Sequence, residues 1–384
     1  MLQNRRSHNT LGFAFPVYII FLFFQYYFSF FQLFLTTCTE MACINTTNIY
    51  NYTTSDPDFL NFYILMRKLT GLILYPIVCF LGLTLNSVGV IVMSRKPMRS
   101  STSVFLIALA IADLIKILND TLYFVTVLLI ETSSVSGRNT FIAIYPYAHY
   151  IFNASMTCSA WINVAVAMER YIFVCHGSKA KFITTINRAI VISLGISAAS
   201  IVISLPYALK YETLEISDRN KTMYNLSVSP LWMGDNFSYI FNWFHYAIRS
   251  IIPVSLLVVA SILIVRGLRK CRLRKGKKRI SLCVVFVIVV FVVCVFPDTI
   301  LSTFFKTGYY EASYLAKGIR EITDFLLLLH TVMNFILYSI FNKQFAKHTK
   351  VLLRYTFRER RRKTTNDETV PLSTRYKDST ACLN

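Results

Sequence analysis

Seven long runs of this chain carry almost no charge, and that pattern limits its fold more than any other feature. Gly71 to Met93, Asn139 to Met168 and Ala189 to Leu209 contain no Asp, Glu, Lys or Arg. Ile280 to Pro297 is also free of them and stays apolar past Asp298. Ser100 to Ile130, Ile240 to Val265 and Arg320 to Phe341 are apolar with isolated charges. A helix crossing the hydrocarbon of a bilayer needs about 20 apolar residues. Barrel strands would be short and alternating, whereas these runs are long and continuous. The expected fold is an all-α membrane protein, a seven-transmembrane helix bundle. Composition agrees: 15% of the 384 residues are charged, against roughly 25% in a soluble chain.

The net charge of +21 would suggest nucleic acid if it were spread over a surface, but it is concentrated in alternate loops. Arg95, Lys96 and Arg99 lie between runs one and two, and Lys179, Lys181 and Arg188 between three and four. Nine Lys or Arg fall between Arg266 and Arg279, and Lys343 to Lys363 is strongly basic. The other loops mix signs, as in Lys210, Glu212, Glu215, Asp218 and Arg219. Basic loops stay in the cytoplasm, so the N-terminal side of run one is expected outside and the C-terminus inside. The charge is then a topology signal with no nucleic-acid partner, and the chain's surroundings are membrane lipids.

Leu11 to Leu35 is a further apolar run, preceded by Arg5 and Arg6. A basic flank before such a run marks a secretory signal, although it exceeds the usual apolar stretch of about 7–15 residues. Residues 1–37 are therefore a cleaved signal peptide or an uncleaved signal anchor, and either leaves the following residues outside. Asn45 and Asn51 fall there, and Asn220, Asn225 and Asn236 fall in a later outer loop; each sits in an Asn-x-Ser/Thr glycosylation acceptor. The division is 1–37 signal, 38–69 glycosylated N-terminus, 70–341 seven-helix domain, 342–357 amphipathic cytoplasmic helix and 358–384 disordered tail. In the amphipathic segment Phe341, Phe345, Leu352, Leu353 and Phe357 interleave with Lys343, Lys347, Lys350 and Arg354, an interfacial helix with a basic face. The nine cysteines do not form a disulfide set: Cys79, Cys158, Cys283 and Cys294 lie in the apolar runs and Cys175, Cys271 and Cys382 on the reducing side. No metal-ligand cluster is present in the sequence.

Ionisable residues inside a membrane are costly and point to function. Here they form two tiers. Asn86, Asp113, Ser159, Glu169, Arg170, Asn334 and Tyr338 make an inner tier, and Lys116, Asp120, His149, His245, Arg249, Asp298, Glu321 and Asp324 an outer one. That layout predicts an outward-facing polar cavity above a buried polar switch.

The motifs then add up. L-A-I-A-D ends at Asp113, E-R-Y spans Glu169 to Tyr171, C-V-F-P runs from Cys294 to Pro297 and N-F-I-L-Y from Asn334 to Tyr338, with Pro206 and Pro253 in runs four and five. With seven spans, this pattern resembles the rhodopsin-like G-protein-coupled receptors over about Gly71 to Phe357. V-C-H-G-S-K-A-K and N-F-I-L-Y-S-I-F are most similar to invertebrate FMRFamide-type neuropeptide receptors. The resemblance implies that Asn86, Asp113, Ser159 and Asn334 form a sodium and water pocket, sodium being an allosteric ion and no other cofactor being called for. It implies that Arg170, held by Glu169, is the G-protein switch together with Tyr171 and Tyr338. Read from the residues alone, the Glu-Arg pair would also serve as an interfacial anchor.

The chain departs from that family's usual pattern. Tyr145 stands where a disulfide-bonded Cys is usual, and Lys210 to Tyr239 contains no Cys. The usual span-four Trp is missing. Val295 replaces a Trp, Phe335 a Pro and Ser261 a Tyr, while Gly177-Ser178 replaces a Pro and a bulky apolar residue. These changes touch the activation relay rather than the fold. Phe152 where an amine receptor has Asp, and Leu328 where an opsin has Lys, argue against both of those classes, and the many charges argue against a lipid ligand.

The ligand expected is an extracellular peptide, met by Lys116, Asp120, His149, Phe152, His245, Arg249, Asp298 and Asp324. Asp298 and Asp324 would take an Arg or amine, and Arg249 or Lys116 a carbonyl or carboxylate. Alternatively Arg249 pairs with Asp298 and Lys116 with Asp120 internally. The function expected is a plasma-membrane receptor that couples to heterotrimeric G proteins and is not an enzyme. Phosphate on the Ser/Thr-rich tail would recruit arrestin. A chemosensory receptor for a small polar molecule is the alternative within the family, and a transporter the rival outside it. The transporter would show paired repeats or interrupted helices, and the sequence has neither.

Overall fold

The computed structural model describes residues 57–132, 134–218, 221–270, 275–304, 314–352 and 354. Residues 1–56 with Asn45 and Asn51, Asn220, and the tail beyond 354 lie outside the described residues. Among the described residues, seven helices are long and apolar enough to cross a membrane: Pro57–Met93, Ser101–Thr126, Gly137–Cys175, Ile186–Leu209, Asn236–Lys270, Lys278–Ser302 and Tyr314–Phe341. They are called spans one to seven. Span one starts well before its charge-free run, because Pro57–Met66 is already helical and continues through a π-turn at Arg67–Leu74.

The spans touch through a common apolar core that includes Val92, Leu109, Ile162, Leu257, Val287 and Leu327. Outward-facing Ile190, Val191, Leu194 and Val202 of span four are exposed, as expected of a face bathed in lipid tails. Small residues set the closest approaches. A Cβ on Gly82 of span one would lie 2.8 Å from the Ile117 side chain of span two, and one on Gly318 of span seven 2.6 Å from the Phe62 ring.

The two ends of the bundle differ. At one end a hairpin follows span four, with β1 (Tyr211–Asp218) antiparallel to β2 (Lys221–Val228) from Tyr211↔Val228 to Asp218↔Lys221. Asn139 at the start of span three accepts a hydrogen bond from the Tyr224 N–H (3.3 Å), so the hairpin lies over that end of span three. At the other end span three stops after Cys175, and Gly177 adopts φ +39° to open the short helix Gly177–Ile183. A side chain there would be strained, which fits Gly in place of the usual Pro.

Residues 343–352 form a further helix. The Asn342 side chain caps it, accepting from the N–H groups of Gln344 and Phe345 (3.1 Å each). Phe345 is buried against Phe335 of span seven, with ring centroids 5.3 Å apart. Lys343, Lys347, Lys350 and Arg354 are exposed, while Leu353 and Phe357 of the expected apolar face lie outside the described residues.

Candidate functional site

At the end away from the hairpin, Glu169 and Arg170 are buried at 5% and 9% exposure and paired at 3.2 Å. Span two completes their shell. The Ser101 hydroxyl donates to Glu169 and Arg170 donates to the Thr102 hydroxyl, while the guanidinium lies 5.3 Å from the centre of the Phe173 ring. The first turn of span two is fixed by Ser100, whose hydroxyl caps the Ser103 N–H (3.1 Å). Arg170 and Tyr338 also line a cavity of about 320 Å³ with Met98, Ile280, Gln344 and Phe345. Beside it Arg279 of span six donates to the Ile340 carbonyl in the last turn of span seven (2.5 Å), where a cation meets the negative end of the helix.

In the middle, Asp113 is 1% exposed. It accepts from the Asn334 amide (2.9 Å) and the Ser159 hydroxyl (3.2 Å), joining spans two, three and seven. Asn86 is turned elsewhere: its amide donates to the Thr331 carbonyl (3.3 Å) and to Gly82 in its own helix. Asn86, Asp113 and Asn334 still line a common cavity of about 20 Å³. That volume exceeds the roughly 10–15 Å³ that one water needs, but Ser159 is not among its lining residues, and Gly89, Met93, Leu106, Leu109, Ala110 and Phe335 make most of its wall apolar.

Toward the hairpin end the charges pair across the bundle. Arg249 of span five contacts Asp298 of span six at 2.5 Å and donates to the Asn153 side chain of span three (3.0 Å). Arg320 of span seven reaches the other Asp298 oxygen at 3.2 Å and Asp324 at 3.4 Å. Ser302 donates to Asp298 as well (3.3 Å). Lys116 and Asp120 pair within span two at 2.5 Å. Both internal pairs that the spacing allowed are thus formed. Phe152 lies between the two systems, its ring centroid 5.5 Å from Lys116 and 5.9 Å from Arg249.

Local backbone chemistry aims Arg249. Residues Ala247–Ile251 form a π-turn directly before Pro253, and Arg249 and Ser250, neighbours in sequence, are both buried. In that register the Ile248 carbonyl would take its hydrogen bond from residue 253, but Pro has no N–H. The Trp161 indole of span three supplies the missing donor at 3.0 Å.

A cavity of about 50 Å³ opens above this network, lined by Asn119, Asp120, His149, Phe152, Arg320 and Asp324 among others. Of the expected ligand residues, Asp120, His149, Phe152 and Asp324 line it. Lys116, Arg249 and Asp298 are buried as well, and His245 is fully buried behind Tyr207, whose ring lies 4.7 Å from His245 and 5.0 Å from His149. Arg320 was not among the expected site residues, although its i,i+4 spacing to Asp324 marked it. Asn153 and Trp161 carried no charge signal in the sequence.

The hairpin is held by rings. Tyr145 packs on Tyr211 (5.1 Å), Phe141 (5.1 Å) and His149 (6.0 Å), and clusters with Ile142 and Leu226. Lys210 lies 5.2 Å from the centres of the Tyr211 and Trp232 rings and 5.8 Å from Tyr207. Burial, and then the charge of Arg320, push its ammonium down from 10.5 to about 8.

Comparison with known proteins places this geometry. Residues 86–338 match the pattern of the family described as 7 transmembrane receptor (rhodopsin family). The FMRFamide receptor of Drosophila melanogaster is 26% identical over 294 residues, covering 72% of this chain and 52% of the relative. A probable G-protein coupled receptor of Caenorhabditis elegans is 28% identical over 204 residues, 51% of this chain and 46% of the relative. Somatostatin receptor type 4 of Rattus norvegicus is 25% identical over 285 residues, 71% of this chain and 70% of the relative. The chain spans about half the length of the first two relatives.

Proposed function

The chain belongs to the rhodopsin family of seven-transmembrane receptors, and from that premise we propose that it is a G-protein-coupled receptor for an extracellular peptide. The hairpin end faces outward in this reading, and the Glu169–Arg170 end meets the G protein. The observation that supports it most is the set of polar stations along one bundle: the charged cavity, Asp113 bound to Ser159 and Asn334, and the buried Glu169–Arg170 pair. The names of the relatives favour a peptide ligand. The basic loops favour this orientation.

The ligand enters through the cavity below the hairpin. Asp120 and Asp324 front it and receive the ligand's guanidinium or amine. His149 and Phe152 flank that position, Lys116, Arg249 and Asp298 form the charged floor, and His245 backs the aromatic wall. Arg170 with Glu169, Tyr171 and Tyr338 transmits to the G protein. A sodium ion would be held by the oxygens of Asp113 and Ser159, with Asn86 and Asn334 beside them, and would there stabilise the arrangement of spans two, three and seven. The protein resides in the plasma membrane, carries sugar on its outer sequons and recruits arrestin through its phosphorylated tail.

A small polar ligand is the second reading, favoured by the modest cavity of about 50 Å³, since drug-sized ligands occupy roughly 300–1,000 Å³. The deciding experiment expresses the full chain and screens a neuropeptide library, including peptides ending in Arg-Phe-amide, for second-messenger responses. A peptide agonist whose response is lost in Arg170→Ala, with surface binding kept, is the expected result. Radiolabelled uptake of a solute without any messenger response would instead make the chain a transporter.

A further inference from the structure

Arg320 occupies the place that the proposed ligand cation would take. Its guanidinium spans two carboxylates on different helices, Asp298 at 3.2 Å and Asp324 at 3.4 Å, and also donates to the Ser302 hydroxyl at 3.2 Å. The two acids are not equivalent. Asp298 is fully buried and held from other sides by Arg249 and Ser302. Asp324 keeps 9% exposure and, with Arg320 itself, forms part of the cavity wall opposite Asp120. A planar guanidinium fork suits this bridging role, which an ammonium cannot reproduce.

We propose that Arg320 is an internal occupant of the ligand-cation site, releasing Asp324 when a ligand's guanidinium or primary amine arrives. The proposal rests on the receptor reading above and adds its regulation. A ligand cation exchanges with Arg320 at Asp324, while Asp298 keeps Arg249 as its partner. The exchange explains how a cavity of about 50 Å³ can accept a ligand side chain: Arg320 vacates the volume as it leaves. It also sets selectivity. A neutral or anionic ligand end has nothing to offer Asp324 in return, so it leaves Arg320 in place. The apparent affinity of a cationic ligand is lowered by the fraction of receptors still plugged.

The test uses the purified full chain in lipid nanodiscs and reads its thermal midpoint, which needs neither agonist nor G protein. Arg320→Ala leaves Asp298 and Asp324 short of a cation, so its midpoint is expected below that of the unmodified chain. Methylguanidinium chloride at millimolar concentration should then raise that midpoint by about 3 °C at ten times its dissociation constant, and logarithmically with concentration beyond it. Methylurea, its neutral counterpart, should not, and the unmodified chain, in which Arg320 competes for Asp324, should need a much higher methylguanidinium concentration for the same shift. The double variant Arg320→Ala with Asp324→Asn should lose most of the methylguanidinium response. Equal stabilisation by methylurea, or no methylguanidinium response in Arg320→Ala, overturns the proposal. Should Arg320→Ala fail to fold, Arg320→Lys keeps one charge without the fork and should show a smaller methylguanidinium shift. The absence of any shift there overturns the proposal as well. A negative result leaves the receptor reading intact, because that reading stands on signalling, and a failed agonist screen leaves this measurement equally valid.

Discussion

At the level of single residues the buried charges decide the matter. The sequence displayed Arg249, Asp298, Lys116 and Asp120 as costly charges in hydrocarbon, and helical spacing alone joined the last two. It offered the Arg249–Asp298 pair only as an alternative to ligand contact, because the two lie on different spans and partner choice depends on how the helices turn. The π-turn before Pro253 fixes that turn for Arg249, and no local composition announces it. The pairing carries a prediction. Arg249→Met takes the 2.5 Å partner from the fully buried Asp298 carboxylate and leaves it Arg320 and Ser302, so the loss should approach but not exceed the roughly 3–5 kcal/mol of a buried pair broken from one side. The combined variant Arg249→Met with Asp298→Leu removes both charges and should recover most of that loss. Thermal midpoints of the purified single and double variants measure it. Equal losses in the single and double variants would show that the ion pair is not what stabilises this point.

At the level of elements the seven helices were legible because each must carry its own apolar run. The early start of span one was not, since Arg67 and Lys68 break the charge-free stretch although the helix runs through them. The hairpin was also hidden, as its strands are short and mixed in charge. Its attachment uses Tyr145 against Tyr211, Phe141 and His149, at the position where a cysteine bridge would ordinarily do the work. Aromatic pairs contribute about 0.5–1.5 kcal/mol each beyond burial. Tyr145→Ala should therefore weaken agonist potency on the order of tenfold, whereas dithiothreitol should leave the potency of the unmodified chain unchanged. A loss of response on reduction would mean that a cysteine outside the described residues holds the hairpin. Lys210 gives the same element a pH signature. Its three aromatic neighbours favour the ammonium, but burial and Arg320 outweigh them and lower its affinity for protons to about 8. A lysine depressed in the fold binds fewer protons than in the unfolded chain between about 8 and 10.5. Stability should accordingly rise with pH across that window, and below about 8 the buried charge remains a cost. Lys210→Met should flatten this part of the profile of thermal midpoint against pH, and an unaltered slope would assign it to other groups.

At the level of the whole molecule, one asymmetry organises everything else. The end with Glu169 and Arg170 carries the basic loops, including the nine Lys and Arg of Arg266 to Arg279, and the hairpin end carries mixed charge. A bilayer sorts such ends by charge, and it is on this asymmetry that the proposed function assigns one cavity to the ligand and the other to the G protein. The fold alone would serve either orientation, because a seven-helix bundle buries its core equally well upside down. The sequence thus spoke more clearly about direction than about contacts: direction depends on summed loop charge, contacts on helix rotation and small-residue spacing. Asn225 makes the direction measurable, since it stands exposed on β2 of the hairpin in an Asn-Leu-Ser acceptor. In a full-length variant whose other four sequons are removed, Asn45, Asn51, Asn220 and Asn236 being replaced by Gln, the receptor from a eukaryotic host should still run faster on a gel after N-glycosidase treatment. Asn225→Gln in that background should abolish the change. If the gel shift is absent while an acceptor placed between Arg266 and Arg279 is glycosylated, the hairpin end faces the cytoplasm. The assigned roles of the two cavities would then have to be exchanged.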